Sequence, residues 1–108
     1  MNKIKSNIDQ LEVCTMASGN LSLKLTENMN WVNFPDFAEE FLKLLGGKVI
    51  SRSDEVDIRV WEVVIENSVF WLSYDDFPSE VSLDSKNKEG SDKITKIRDI
   101  VLDMIKKV

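Results

Sequence analysis

Two adjacent carboxylates, Asp75 and Asp76, follow an apolar segment and precede Phe77-Pro78. Carboxylates in this position can contact a basic partner, bond the backbone of a turn, or hold Mg²⁺. Neighbouring strand residues point to opposite faces, so two adjacent Asp side chains seldom chelate one ion. Partner contact and turn chemistry therefore stand as the two main interpretations, and a metal site is the third.

Aromatic side chains surround this pair and are typical of protein interfaces. Tyr74 precedes the pair and Phe77 follows it, while Trp61 and Trp71 lie in the middle of predicted strands. Aromatic residues anchor many interfaces, but they also fill cores and stack across strands. We predict Tyr74 as an anchor, with Trp61 or Trp71 as a second one. Core packing of both tryptophans and of Phe77 stays open as the alternative.

The acidic charge of the chain is concentrated in one stretch. Residues 54–92 contain eleven Asp or Glu against three Lys or Arg, a net of −8, whereas the whole chain has a net charge of −5. A field of one sign attracts a partner of the opposite sign and speeds encounter. We therefore predict that Glu80 and Asp84 contact a basic partner together with the Asp pair. Acidic strand faces also keep small proteins soluble, and that alternative stays open.

Glu62 is a further candidate, because it lies on a strand face that is otherwise apolar. Its neighbours on that face are Ile58, Val60 and Val64. A buried carboxylate would need a partner, so we expect this face to meet solvent or a partner near Glu62. A lone carboxylate without an acid/base mate or a nucleophile does not make a catalytic site.

The composition favours a protein without catalysis. The chain has no His, so it lacks the commonest general base and the commonest transition-metal ligand. Its single cysteine, Cys14, excludes an intramolecular disulfide, fits a reducing compartment and has no histidine to activate it. We expect Cys14 to be a small buried hydrophobe. We also expect no catalytic residue, no metal and no cofactor. A carboxylate-based metal enzyme, which would need at least three converging acids, stays open as a third alternative.

The acidic balance also limits the partners of the protein. Phosphates would be repelled, so direct nucleic-acid binding is not expected. No apolar run approaches the roughly 18 residues that span a bilayer, and residues 1–12 lack the apolar region of a signal peptide. We therefore expect a cytoplasmic protein that does not bind membranes. Whether it forms a homodimer stays open.

Periodicity predicts one α+β domain over residues 1–108, with residues 1–8 frayed. The predicted order is β-β-α-β-β-β-β-α, an antiparallel sheet of about five to six strands with two helices packed on one face. The predicted strands are 11–14, 21–25, 48–51, 57–66, 69–74 and 81–83, with a link at 75–79. The first helix is predicted to begin near Pro35, and Ser91 or Asp92 is predicted to cap the start of the second.

Three segments and a short strand carry a recognisable pattern. They are NWVNFPDF at 30–37, GGKV at 46–49, WLSYDDFP at 71–78 and VSL at 81–83. The pattern resembles a group of small acidic bacterial proteins, some of which look like immunity proteins encoded beside toxins of contact-dependent growth inhibition. The resemblance covers most of the chain from about residue 30 to residue 108.

The resemblance implies a cytoplasmic, non-catalytic protein that binds the C-terminal domain of a cognate toxin and blocks its active site. Such toxins are often nucleases with basic surfaces, which the acidic stretch would match in charge. On this hypothesis the acidic candidates pair with Lys or Arg of the toxin, and the aromatic candidates anchor it. The alternative is a non-catalytic interaction or self-assembly module whose exposed strands pair with each other or with another protein.

Overall fold

The computed structural model describes residues 7–76 and 79–106. It contains six strands and two helices in the predicted order, so the α+β fold class is confirmed. The elements are β1 Glu12–Thr15, β2 Leu21–Thr26, α1 Phe34–Leu45, β3 Lys48–Asp54, β4 Ile58–Ile65, β5 Ser68–Asp76, β6 Ser79–Ser85 and α2 Lys88–Lys106.

All six strands form one antiparallel sheet in the order β1-β2-β6-β5-β4-β3. Strands β3 to β6 follow each other as hairpins, and β2 joins the sheet beside β6. The two helices and the sheet contribute to a single hydrophobic core. This topology places β5 and β6 near the middle of the sheet, where the candidate acidic and aromatic residues are concentrated.

Alternation along the strands separates a core face from an open face. On β4, Trp61, Val63 and Ile65 are buried in the core, and the residues between them point to the other side. No element among residues 7–76 and 79–106 covers that other side, which we call the open face. The open face carries Ser22 and Lys24 from β2, Val60, Glu62 and Val64 from β4, Trp71, Ser73 and Asp75 from β5, and Glu80, Ser82 and Asp84 from β6.

Helix α1 packs its apolar stripe on the core face of β4 and β5. Pro35 lies in its first turn, where a missing backbone N–H costs nothing, and Gly46 ends it with a φ of +67°. The ring of Phe34 contacts Trp61 edge to face, with centroids 5.5 Å apart, and Tyr74 at 5.8 Å. This aromatic group fixes which side chains of β4 and β5 point inward.

Helix α2 begins earlier than predicted because Asn87 caps it. The Asn87 side-chain oxygen accepts the backbone N–H of Gly90 at 2.9 Å. Ser91, one of the two predicted caps, is buried instead. Its hydroxyl accepts the backbone N–H of Leu21 at 2.9 Å and lies 2.7 Å from the hydroxyl of Ser85. These hydrogen bonds tie the start of α2 to β2 and β6.

The bounds of several other segments also differ from the prediction, and β6 is longer at both ends than the predicted 81–83. Strand β5 continues through Asp76, so the Asp pair lies in a strand rather than in a link. Strand β3 continues to Asp54 because its pairing with β4 extends that far. Ile8, predicted as frayed, is buried in the core, and the adjacent backbone N–H groups of Asp9 and Gln10 donate to Leu25.

Candidate protein-binding site

Glu62, Trp71 and Asp84 form one row across three neighbouring strands of the open face. Trp71 on β5 lies directly opposite Glu62 of β4 on one side and Asp84 of β6 on the other. Trp71 is 40% exposed although its strand lies inside the sheet. The structure thus brings three predicted contact residues together as an aromatic ring flanked by two carboxylates.

Lys86, just beyond the end of β6, completes this row. Its Nζ lies 2.6 Å from Glu62 Oε2 and 4.9 Å from the centroid of the Trp71 ring. The hydroxyl of Ser51 donates to the other oxygen of Glu62 at 3.5 Å. The hydrogen bond from Lys86 is the main cause that lowers the pKa of Glu62, so this carboxylate is ionised at neutral pH.

Asp84 is held by hydroxyl groups rather than by a cation. Ser22 donates to Asp84 Oδ1 at 2.6 Å, and Ser73 donates to Oδ2 at 3.4 Å. Ser22 is itself buried, so the carboxylate has a fixed position on the sheet. Within the described part of the chain Asp84 has no ion-pair partner. Its negative charge is therefore available to a cation that approaches Trp71.

A second acidic row lies further along the open face. Asp75 is directly opposite Glu80 of β6 and Ile58 of β4. Lys24 forms an ion pair with Glu80 at 3.0 Å, whereas the structure gives Asp75 no ion pair within the residues it describes. Burial raises the pKa of Asp75, and the carboxylates of Asp57 and Glu80 raise it further. Like charges placed opposite each other destabilise a sheet, and a basic partner would relieve that cost.

Asp75→Asn is expected to increase the free energy of unfolding at pH 7 by a few tenths of a kcal/mol, since the repulsion is screened by solvent. A raised pKa means that folding disfavours the ionised form, so the penalty is absent below the pKa of the unfolded state and is complete above the pKa of the folded state. The gain should therefore vanish at about pH 3, where the carboxyl group is protonated in both states. Urea unfolding at the two pH values measures this. A loss of stability at pH 7 would show that the Asp75 carboxylate makes a favourable contact.

Tyr74 and Trp61 lie on the core face, which contradicts their predicted role as anchors for a partner. Each is 1% exposed, and both rings contact Phe34. The Tyr74 hydroxyl donates to Asp76 Oδ1 at 2.6 Å, so Asp76 is engaged within the fold and does not share the open face with Asp75. The reason is strand alternation, since Tyr74 and Asp76 point to the side opposite to Trp71.

Two other sequence expectations have different outcomes. Phe77, whose place in the core or at an interface was open, lies outside the described residues. Cys14 is half-buried rather than buried, because it lies on the edge strand β1 beside Ser22. Its thiol donates to Glu12 Oε1 at 3.4 Å. Burial raises the pKa of Cys14 and Glu12 raises it further, which favours the unreactive thiol.

Sequence reasoning missed Lys86, Ser22 and Ser73 as members of the site. The alternation that places Asp84 on the open face also places Lys86 there, so that signal was present in the sequence. No local signal connects Ser22 with Asp84, which follows it by 62 residues. Only the pairing of β2 with β6 brings these two side chains together.

Within residues 7–76 and 79–106, other features of the molecule do not point to a competing site. Among the residues that the structure describes, no three His, Cys, Asp or Glu side chains form a group that could hold a metal ion. The two helices, over their described lengths, are too short or too polar to cross a membrane. A shallow groove of about 450 Å³ follows α1, and none of the predicted contact residues lines it. The groove is lined by Asn7, Met29, Asn33, Asp36, Phe37, Glu39, Glu40 and Lys43.

Comparison with known proteins places the chain in a family. No curated protein and no solved structure matches it significantly. A family described as "Protein of unknown function (DUF3630)" matches residues 11–97. That segment contains all six strands, α1, the first half of α2 and the Glu62–Trp71–Asp84 row. Because the match covers most of the chain, this protein belongs to the DUF3630 family.

Proposed function

We propose that this protein is a non-catalytic binding protein that docks a basic protein partner on its open face. The observation that carries this proposal is the Glu62–Trp71–Asp84 row, on a side of the sheet that no described element covers. An exposed tryptophan among carboxylates combines an apolar anchor with charges that select a basic partner. The anchor on this face is Trp71 alone, since Trp61 belongs to the core.

The partner that we propose is a basic toxin domain, as the resemblance to immunity proteins implies. Nucleases that bind phosphates have basic active-site clefts, and an acidic face could cover such a cleft in place of the nucleic acid. Asp75 and Glu80 would contribute mainly to the rate of encounter, because they lie beside the row and partly in solvent. Glu62 and Asp84 would contribute to affinity, because they flank the aromatic anchor.

Two features of the open face support docking of a large partner. Val60 and Val64 lie on either side of Glu62 on β4, so the row is embedded in a partly apolar surface. Burial is the main cause that raises the pKa of Asp75, and repulsion from the carboxylates of Asp57 and Glu80 raises it further in the free protein. A basic partner would relieve this repulsion, which favours its approach to this part of the open face.

We expect binding to the partner to weaken with salt. Tagged protein would be co-expressed with the product of the reading frame immediately upstream, because immunity genes directly follow their toxins. The recovered complex is then measured by calorimetry. Affinity should fall by about tenfold between 50 and 500 mM NaCl, because exposed charges are screened over shorter distances at high salt.

A matched pair of double variants separates local from overall charge. The first is Asp75→Asn with Glu80→Gln on the open face. The second is Glu40→Gln with Glu89→Gln, which removes the same charge from exposed helical positions. We expect the first to slow association about tenfold and the second to have a much smaller effect. Equal effects, or binding that is independent of salt, would contradict the electrostatic mechanism.

A second candidate function is self-association through β3. This strand is an edge of the sheet, and most of its residues are exposed, including Ile50 at 53%. Its ends carry opposite charges, Lys48 and Asp54, which would meet in an antiparallel pair of two copies. A lysine and a bulge between Val49 and Ser51 are features that block edge pairing, so this candidate ranks second. Sedimentation that shows a concentration-dependent dimer, with loss of the dimer in Ile50→Lys, would favour it.

A further inference from the structure

Lys86 occupies the position over Trp71 and beside Glu62 where a cation of a partner would bind. Its ammonium group is the only one among the described residues that lies over the ring of Trp71, and it is also bonded to Glu62. The Lys86 side chain is 30% exposed, and the side chain of Glu62 is 29% exposed, so neither is sealed in the protein. The free protein therefore already contains the aromatic–cation–carboxylate contact that a basic partner would offer.

We propose that Lys86 is an internal substitute for an arginine of the partner, which displaces it from Trp71 and Glu62 on binding. This inference rests on the proposed function, because it assumes that the open face receives a basic protein. It adds that the recognised side chain is an arginine, and that Lys86 occupies its site in the free protein. The site opens when the arginine replaces Lys86.

Displacement is favoured by the difference between arginine and lysine. A guanidinium is planar, stacks on an aromatic ring and is more weakly hydrated than an ammonium. It also carries enough donors to bond carboxylates on both sides of the ring, and Trp71 has one on each side in Glu62 and Asp84. Lys86 bonds Glu62 alone, so an arginine can form contacts with Asp84 that Lys86 leaves unused.

The exchange has a small cost for the protein. An ion pair whose side chains are about 30% exposed contributes little to stability, and the flexible stem of Lys86 allows its ammonium group to return to water. The carboxylate of Asp84 does not have to move, because Ser22 and Ser73 already orient it. Lys86 therefore weakens the binding of basic ligands to this site by a modest factor. Removal of the lysine should increase their affinity by the same factor.

The test uses an amidated hexa-arginine peptide as a probe, so it does not depend on the natural partner. The peptide is titrated into ¹⁵N-labelled protein, and the indole N–H signals are followed by NMR. A Trp71→Phe variant assigns the Trp71 signal. The variants compared are Lys86→Gln and Lys88→Gln. Lys88 is the matched control, because it is 89% exposed and pairs with Asp92 on α2 rather than with Glu62.

We expect Lys86→Gln to bind the peptide roughly fivefold more tightly than Lys88→Gln, since a weak ion pair and a cation–π contact no longer compete. The Trp71 indole signal should shift in both variants. Equal affinities for the two variants would overturn the inference, because the effect would then be one of net charge. Weaker binding by Lys86→Gln, or no peptide binding to either variant, would overturn it as well.

Failure of this inference is distinguishable from failure of the proposed function. If Lys86→Gln gains no affinity for the peptide but a protein partner still requires Trp71, the open face is the docking site and Lys86 does not compete with the partner there. If the gain is observed and no basic protein partner is recovered, the arginine site is present and the proposed toxin-binding function is wrong.

Discussion

Trp71→Ala is expected to weaken binding of the basic partner by about 2–3 kcal/mol, roughly 30- to 150-fold in Kd, while the protein stays folded. Trp71 is the large aromatic side chain on the open face, and both of its cross-strand neighbours are carboxylates. A tryptophan at the centre of an interface commonly contributes this much, because surrounding contacts exclude water from it. Calorimetry on the recovered complex measures the change.

The fold should tolerate this substitution because the ring is not part of the core. Trp71 is 40% exposed in the free protein, so its removal leaves no internal cavity. We expect a loss of about 1 kcal/mol in the free energy of unfolding, from weaker strand packing and the lost contact with Lys86. Trp71→Phe is the conservative control and should keep most of the affinity. An unchanged Kd in Trp71→Ala would show that the partner binds elsewhere.

Trp61→Ala is expected to affect the stability of the fold rather than the docking surface. We expect a loss of about 3–5 kcal/mol in the free energy of unfolding. The Trp61 ring is 1% exposed, contacts Phe34 edge to face, and lies 4.4 Å from the guanidinium of Arg52. Its removal should leave a cavity between α1 and β4 that neighbouring side chains fill only in part. Such a loss is a large part of the stability of a small domain, so the variant should be partly unfolded at 37 °C.

Urea unfolding followed by circular dichroism measures this loss. Trp61→Phe is the control, because it keeps an aromatic ring in contact with Phe34 and removes an indole N–H that has no acceptor within the described residues. The control should lose clearly less stability than Trp61→Ala. A loss below about 1 kcal/mol in Trp61→Ala would contradict the assignment of this ring to the core.

These two tryptophans mark the limit of what the sequence could predict about the site. Period-two alternation identified β4 and β5 correctly, but each face of β4 carries apolar residues, so alternation did not decide which face is covered. The decision depends on where α1 packs, and Phe34 selects the side that carries Trp61 and Tyr74. Once that side is known, Trp71 must be on the other one.

The acidic candidates were likewise only partly predictable from the sequence. Their concentration was evident from composition, yet the register between strands determines which of them act together. The whole of β5 lies between Glu62 and Asp84 along the chain. The two residues flank Trp71 only because β4 and β6 both pair with β5. Asp75 and Asp76, adjacent in sequence, are separated because β5 continues through both residues.

The order of elements was predictable because each carries a strong local pattern. The apolar stripes of the two helices and the alternation in the strands agree with the final fold. Element ends were less predictable, since they depend on contacts outside the element. The start of α2 follows from the Asn87 cap, and the length of β3 follows from its pairing with β4.

We propose that the open face is the surface that neutralises a basic toxin. The most direct measurement is the growth of cells that express the product of the upstream reading frame, with wild-type protein, with Trp71→Ala, or with neither. We predict growth arrest without the protein, full growth with the wild type, and arrest with Trp71→Ala at equal levels of folded protein. Full growth with Trp71→Ala would contradict the claim, as would an upstream product that is harmless and is not bound.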